Sequence, residues 1–264
     1  MRARDFALAT VLGATGCIEL KIYNSFKIDD AQAASASEDA GTDDAGPDDA
    51  QPAHCALDGD SVDPPTLTTL GIEPAVQLPA SATKRVVLAV NLDVRAPVPV
   101  SAWDLLNLPI SSNFPSSITS YDSLGIGRQL TTYFSKVSLN SWDWHVVADG
   151  RDVEGGTEGV PFESASGTLT FNTDGLLQTE ITNGSTWNFK GAAAGQTIAF
   201  DFGTSLAEGG TGLDGTTSFA NVFSTNAATQ DGYAAGSLAS AVVSDVNVVG
   251  SYTNGQTRVL GRCP

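Results

Sequence analysis

The sequence predicts an all-β fold, a barrel or sandwich of about ten short strands, preceded by a signal-like segment and an acidic linker. Three observations predict this class. Short segments after residue 66 alternate apolar and polar side chains with the period of two that a half-buried strand shows. Turn-forming residues separate those segments. No stretch beyond residue 66 keeps a helical period, so the 264 residues are expected to hold one large β domain or two small ones.

The first predicted strand is the apolar, β-branched segment at residues 84–93, KRVVLAVNLD. Trp142, Trp144 and Val146 then alternate with Asp143, His145 and Val147, which indicates a strand with one buried face. Asn254-Gly255 is typical of a type I′ hairpin, because both residues tolerate positive φ. Further predicted strands cover residues 117–121, 129–136, 168–171, 176–181, 197–202, 246–253 and 256–260.

Residues 1–28 form a signal-like or lipoprotein-like segment. Arg2 and Arg4 precede a short apolar stretch and a run of small residues. The tetrapeptide Ala14-Thr15-Gly16-Cys17 is similar to a lipobox, which would make Cys17 a lipidation site and supply a lipid anchor. The alternative is a start codon placed upstream of the real domain.

The net charge is −17, from 30 acidic against 13 basic side chains. Residues 29–63 alone hold 11 Asp or Glu and no Lys or Arg, and the remainder, with 19 acids against 13 bases, carries −6. Residues 29–66 are therefore predicted to be an acidic low-complexity linker. The charge argues against nucleic acid as a partner and against adsorption to anionic lipid. No apolar run reaches 18 residues, so we expect no integral membrane span.

The three cysteines are Cys17, Cys55 and Cys263, all outside the β region. If Cys17 is lipidated, Cys55 and Cys263 remain as an even pair in an oxidising compartment. A disulfide between them would join the two ends of the β region. Titration of free thiols in the unreduced protein tests this hypothesis, and two reactive thiols would refute it.

The sequence predicts no enzyme. His145 is the histidine that a catalytic triad could use, since His54 lies in the linker, but no nucleophile motif accompanies it and a half-exposed strand histidine is the better interpretation. Residues 58–63 lack the glycine and the glutamate of a calcium loop. Asp152 and Glu154 could flank a sugar, so a wall- or glycan-directed hydrolase stays the enzyme alternative. We predict no catalytic, cofactor-binding or metal-binding residue and no cofactor.

Several segments, in order, resemble the bacterial flagellar hook protein family: LPASATKRVVLAVNLD, SSITSYDSLG, LTTYFSKVSLNSWDWHVVADG, SGTLTFNTDG, QDGYAAGSL and VVGSYTNGQTRVLG. The resemblance covers about residues 80–261. It implies that residues 67–220 are a FlaE-like, outward-facing middle domain and that residues 221–264 are the return strands of a truncated inner domain.

The same resemblance implies a structural role in the flagellar hook, the universal joint needed for flagellum-dependent motility. The implied partners are other hook subunits or hook-associated proteins, and the implied location is the extracellular hook and basal body of the flagellum. We expect subunit contacts at Trp142, Trp144, Tyr233 and Tyr252.

Three features depart from the hook pattern. Hook proteins begin and end with apolar heptad helices, where this sequence has the signal-like segment at one end and stops at Pro264 at the other, so it is not expected to polymerise in the usual way. Ser244-Asp245-Val246-Asn247 replaces the usual Asp-Gly turn of the return hairpin. The alternative is an outer-membrane lipoprotein that uses a hook-type β domain as a surface-tethered binding or adhesion module.

Overall fold

The computed structural model describes residues 77–244 and 247–262. The signal-like segment and most of the linker prediction therefore lie outside the described residues. The regular elements of the described part are strands, with almost no helix, and the all-β prediction is confirmed. The strands are β1 (Gln77–Leu78), β2 (Arg85–Asn91), β3 (Phe114–Tyr121), β4 (Gly127–Ser138), β5 (Ser141–Asp149), β6 (Pro161–Phe171), β7 (Leu177–Trp187), β8 (Gln196–Thr197), β9 (Ala199–Asp201), β10 (Ser224–Gln230), β11 (Gly236–Ser244), β12 (Asn247–Tyr252) and β13 (Thr257–Arg262). One four-residue helix, α1 (Leu108–Ser111), and short 3₁₀ turns at Gly150–Asp152 and Leu206–Glu208 interrupt them.

The chain divides into two compact units, Leu78–Gly236 and the pair of segments Met1–Gln77 and Ser237–Pro264. The first unit contains a six-stranded antiparallel sheet in the order β3-β4-β5-β6-β7-β8. Neighbouring strands of this sheet follow each other along the chain, and short turns join β3 to β4, β4 to β5 and β6 to β7. Asn140 takes a left-handed φ of 59° between β4 and β5, and Gly175 takes 77° between β6 and β7.

A second sheet of the same unit has the order β10-β2-β9, with β2 antiparallel to β10 and parallel to β9. Val86, Leu88 and Val90 alternate along β2 and are completely buried. They belong to one continuous core to which both sheets contribute. Its largest fully buried side chains are Trp142, Trp144, Trp187, Phe134, Phe189, Phe202, Leu88, Leu92, Leu130, Leu169, Leu177 and Ile198.

The described strands of the other unit are β11, β12 and β13, an antiparallel meander with β1 beside β11 at its edge. The sequence predicted the β12–β13 hairpin, and Gly255 at its turn has a φ of 80°. Val248 and Tyr252 on β12 are buried, whereas Val242 and Val259 are more than half exposed. Within the described residues, no helix is long and apolar enough to cross a membrane.

Candidate functional site

Trp142 and Trp144, two of the expected subunit contacts, lie in the core with no exposed surface. The Trp142 ring meets Phe223 edge-on at 6.0 Å, and the Trp144 ring lies 5.7 Å from Phe200 and 5.0 Å from Phe202. Aromatic pairs at these separations stabilise a core beyond the area that they bury. Because both indoles are buried, neither can touch a neighbouring subunit in this fold.

Tyr233 and Tyr252, the other two expected contacts, belong to different compact units. Tyr233 is half-buried, and its backbone exchanges two hydrogen bonds with Ser81: Ser81 N donates to Tyr233 O over 3.0 Å and Tyr233 N to Ser81 O over 2.9 Å. Tyr252 is buried in the three-stranded meander, and its N–H donates to Gln256 O over 2.8 Å. The subunit-contact role of these two residues stays a prediction.

The cysteine predictions fall on residues that the structure does not describe. Cys17, Cys55 and Cys263 all lie outside residues 77–244 and 247–262. Lipidation of Cys17 and a bond between Cys55 and Cys263 therefore stay predictions.

The connection from β2 to β3 contains a segment, residues 94–112, that we call the strap. Trp103 holds it to the outer face of the six-stranded sheet. Its indole ring stacks on the His145 ring at 3.9 Å between centroids and 5° between planes, and its Nε1–H donates to Glu163 Oε2 over 2.8 Å. Glu163 Oε1 lies 2.7 Å from His145 Nδ1, so the three side chains form a closed cluster.

The charge state of Glu163 fits that closed cluster. Burial alone would raise the pKa of Glu163, but hydrogen bonds from His145 and Trp103 favour the carboxylate and leave the pKa below its usual value. Both Glu163 oxygens are therefore occupied by structural contacts. His145, the histidine that a triad could have used, has its Nδ1 bound to Glu163 and its ring face covered by Trp103.

Further polar contacts fix the two ends of the strap. The buried Lys136 Nζ donates to Val94 O, and also to Ala96 O over 3.0 Å. Asn113 Nδ2 donates to Pro97 O over 2.9 Å, and Ser135 Oγ donates to Ser111 O over 2.9 Å. The strap, which includes α1, thus has its backbone bound to β4 at both ends.

A second polar cluster surrounds Arg128. Its guanidinium donates to Asp122, which is completely buried, over 3.0 Å, to Asp152 over 2.9 Å and to the Lys190 carbonyl over 3.0 Å. Removing one partner of a buried ion pair of this kind strongly destabilises the folded protein, because the other charge stays buried without a partner. Asp152, proposed as one of a sugar-flanking pair, is therefore engaged with Arg128, while Glu154 accepts a hydrogen bond from Gly191 N over 3.3 Å.

A shallow groove of about 540 Å³ lies on the outer face of the six-stranded sheet, next to α1. Leu108, Thr131, Tyr133 and Val160 contribute to its lining. Arg151 at the groove is paired with Asp149 over 2.8 Å. No group of three or more side chains suited to hold a metal ion occurs in the part of the chain that the structure describes.

One carboxyl group has a strongly raised pKa. Burial raises the pKa of Glu180 on β7 to about 7, and repulsion from Asp201 and Glu208 acts in the same direction. A hydrogen bond from Phe202 N opposes this rise. We therefore expect the stability of this domain to depend on pH near neutrality, because Glu180 changes its protonation state there.

The sequence analysis missed the strap and its Trp103–His145–Glu163 cluster. Residues 94–112 contain three prolines and no regular period, so pattern arguments assigned them no element. No sequence argument distinguished Trp103 from the other three tryptophans. The structure separates it from them, because Trp142, Trp144 and Trp187 are completely buried while Trp103 is partly exposed on the outer face.

The Glu163 carboxylate and the Arg128 guanidinium have their partners within the fold, and both clusters belong to a β domain with one continuous core. The chain belongs to the family described as the flagellar basal body protein FlaE D2 domain, whose sequence profile matches residues 91–233. This confirms the resemblance to flagellar hook proteins that the sequence motifs indicated.

Individual relatives agree with the family assignment. The flagellar hook protein FlgE of Salmonella typhimurium is 32% identical over 207 residues, which cover 75% of this chain and 47% of that protein. FlgE of Escherichia coli K12 is 29% identical over 209 residues with the same coverage, and FlgE of Helicobacter pylori is 31% identical over 157 residues, 56% of this chain and 20% of that protein. The chain thus spans about half the length of the first two relatives, with 47% of each covered.

Two solved structures are similar to parts of the chain. A 32 kDa fragment of the hook protein FlgE from Caulobacter crescentus aligns with a TM-score of 0.37 and 16% identity over 50% of this chain and 52% of that one. The Helicobacter pylori hook protein FlgE2 aligns with a TM-score of 0.39 and 14% identity over 57% of this chain and 32% of that one. The family assignment rests on the sequence matches.

Proposed function

We propose that the chain is a non-enzymatic structural component of the bacterial flagellar hook, and that its β domain makes subunit–subunit contacts there. The observation that carries this proposal is the family match at residues 91–233, because it spans most of the compact unit Leu78–Gly236. The relatives named above are all flagellar hook proteins. The partners would be other hook subunits or hook-associated proteins, and the location would be the extracellular part of the flagellum.

The internal construction of the domain supports a mechanical role. Two sheets share one aromatic-rich core, and the Arg128 and Glu163 clusters tie loops to strands through charged hydrogen bonds. Closely packed interiors transmit strain instead of absorbing it. Such a domain can make and break small surface contacts while its own fold stays unchanged, which a bending tube requires of its subunits.

The domain organisation remains part of the proposal. Residues 1–28 would be the signal-like segment, 29–66 the acidic linker, 67–220 the hook middle domain and 221–264 the return strands. The linker carries the largest acid excess of the chain, with 11 acidic and no basic side chains in residues 29–63.

Purified hook–basal bodies provide the test. The full chain carries a short epitope tag in its native host, hook–basal bodies are isolated, and their proteins are identified by mass spectrometry and immunogold labelling. We expect peptides of the chain to co-purify with the hook and gold particles to decorate its outer surface. Hooks that contain the expected hook proteins but neither peptides nor label would refute the proposal.

The mass of the mature protein provides a second measurement. A product cleaved before Cys17 that carries acyl chains and partitions into membranes would favour the lipoprotein alternative. An unacylated product that is found in the hook would support the structural role.

A further inference from the structure

A threonine hydroxyl and a glutamine carboxamide are in close contact beside the β2–β10 pair. Thr83 lies just before β2, Gln230 is the last residue of β10, and 147 positions separate them along the chain. The Thr83 hydroxyl donates to Gln230 Oε1 over 2.6 Å. Thr83 has no exposed surface, so the fold encloses this contact.

The Thr83 hydroxyl is held in one position. Thr83 N donates to Tyr121 O over 2.9 Å, and Tyr121 N donates to Thr83 Oγ1 over 2.8 Å. Gln196 Nε2 donates to the carbonyls of both residues, over 2.9 Å to Thr83 O and over 3.0 Å to Tyr121 O. The backbone and the side chain of Thr83 are therefore ordered in advance, as an efficient intramolecular reaction requires.

A second donor polarises the Gln230 carboxamide. Gly232 N donates to Gln230 Oε1 over 2.6 Å, and Gln230 Nε2 donates to Gly232 O over 3.1 Å. A backbone N–H aimed at a carbonyl oxygen stabilises the negative charge that develops there when a nucleophile adds to the carbon. Residue 232 has to be glycine for this arrangement, because an added Cβ would lie 2.4 Å from Thr83 Oγ1.

The hydroxyl oxygen also lies close to the carbon of the carboxamide. A C=O bond is about 1.23 Å long, so an oxygen 2.6 Å from Gln230 Oε1 in the usual acceptor direction is within about 3.5 Å of Cδ. Reacting atoms in a near-attack arrangement are about 3 to 3.5 Å apart. Asp231 keeps the two segments in register, since its Oδ1 accepts from Lys84 N over 2.8 Å and from Arg85 N over 3.0 Å.

We propose that Thr83 and Gln230 form an intramolecular ester crosslink. Thr83 Oγ1 adds to Gln230 Cδ, the Cδ–Nε2 bond breaks, and the hydroxyl proton leaves with Nε2 as ammonia. An alcohol and an amide give an ester and ammonia without a change in oxidation state, so the reaction needs no oxidant, reductant or cofactor. Burial of Thr83 shields the ester from hydrolysis, and the partial exposure of Gln230 gives ammonia a way out.

The ester closes a covalent loop from residue 83 to residue 230. It joins β2 and β10 by a bond in addition to their ladder of backbone hydrogen bonds. A pull on the chain at the two ends of the unit Leu78–Gly236 is then borne by the ester before it reaches that ladder. This inference goes beyond the proposed function and does not depend on it, because the reaction takes place within one chain.

Mass spectrometry of the purified full chain tests the proposal. After incubation at neutral pH, we expect the wild type to be lighter by one molecule of ammonia than the mass calculated for its mapped termini. Proteolysis and tandem mass spectrometry should yield a branched peptide that joins residues 83 and 230. The branched peptide distinguishes the ester from loss of ammonia at another asparagine or glutamine.

Three variants separate the ester from a simple hydrogen bond. Thr83→Val removes the hydroxyl and should show the full mass, whereas Thr83→Ser keeps a hydroxyl and should retain the crosslink. Thr217→Val is the matched control, because Thr217 also donates to a carboxamide oxygen, Asn91 Oδ1, but over 3.2 Å. We expect this control to lose ammonia as the wild type does, and circular dichroism checks that each variant is folded.

The wild type alone decides against the proposal if it fails. Wild-type protein in which residues 83 and 230 occur only in linear peptides would overturn the inference, whether or not the variants fold. Loss of ammonia that persists in Thr83→Val would overturn it as well. Neither result bears on the hook assignment, which the co-purification experiment tests.

Discussion

Gly167 lies at the most crowded backbone position of the six-stranded sheet. It pairs with Trp144 on β5 and with Thr182 on β7. A Cβ added at Gly167 would lie 1.9 Å from the Ile181 carbonyl oxygen and 2.6 Å from two carbons of the Trp144 indole. The indole therefore occupies the space that a side chain at residue 167 would need.

The expected cost of Gly167→Ala follows from these distances. Overpacking a core by one methyl group typically costs about 1 to 3 kcal/mol. Here one obstacle is a backbone carbonyl between two central strands, and the other is a fully buried indole, so neither can move without disturbing the sheet. We therefore expect about 3 kcal/mol, the upper end of that range. For a domain of this size, such a loss lowers Tm by about 6 to 12 °C.

Thermal unfolding followed by near-ultraviolet circular dichroism measures this effect, because the buried tryptophans report on the same core. Gly127→Ala is the matched control. Its added Cβ would lie 3.1 Å from the methyl group of Thr119, and both Gly127 and Thr119 are exposed. We expect the control to change the free energy of unfolding by less than about 1 kcal/mol. A Gly167→Ala protein that melts within about 2 °C of the wild type would refute the steric argument.

Three further predictions concern single side chains. The pKa of Glu180 is about 7 in the fold against a model value of 4.5, so the folded state retains a proton that the unfolded state has lost, and stability should fall as pH rises between these values. The free energy of unfolding of Glu180→Gln, measured in urea, should therefore rise by about 1 to 2 kcal/mol relative to that of the wild type between pH 5 and pH 8, a value that allows for the partial exposure of Glu180. A difference that does not change with pH would contradict this. Trp103→Phe should abolish the fraction of tryptophan fluorescence that acrylamide quenches, because the other three indoles are completely buried, and undiminished quenching would mean that a core indole reaches solvent. Asp122→Asn should cost about 3 kcal/mol in urea unfolding because Arg128 loses its buried counter-charge, and an unchanged midpoint would show that Asp152 alone suffices.

Local pattern was sufficient to predict the class of fold and several strands. The alternation of Trp142, Trp144 and Val146 correctly indicated a buried face of β5, and Asn254-Gly255 correctly indicated a hairpin. These features depend on near neighbours in sequence, whose period and turn chemistry are visible in one chain.

Long-range pairing was not predictable in the same way. β2 lies between β9 and β10, more than a hundred residues further along, and no local pattern specifies a parallel partner at that distance. Local pattern predicted no strand at β11, because its small residues, such as Ala239 and Ser240, give little contrast between its faces. Only the resemblance to hook proteins, through the return hairpin, implied a strand there. Alternation also could not tell whether the apolar face of β5 meets the second sheet or another subunit, which is why Trp142 and Trp144 were expected at a contact.

The pair of hydrogen bonds between Ser81 and Tyr233 brings the beginning and the end of the unit Leu78–Gly236 side by side. Asp231 strengthens this junction by accepting from Lys84 N and Arg85 N over 2.8 Å and 3.0 Å. Because the first and last residues of the domain lie together, the domain would separate the flanking residues of a host protein by no greater distance than a short loop would. Such a module can be inserted into, or removed from, an unrelated protein without changing the distance between the host's own flanking residues.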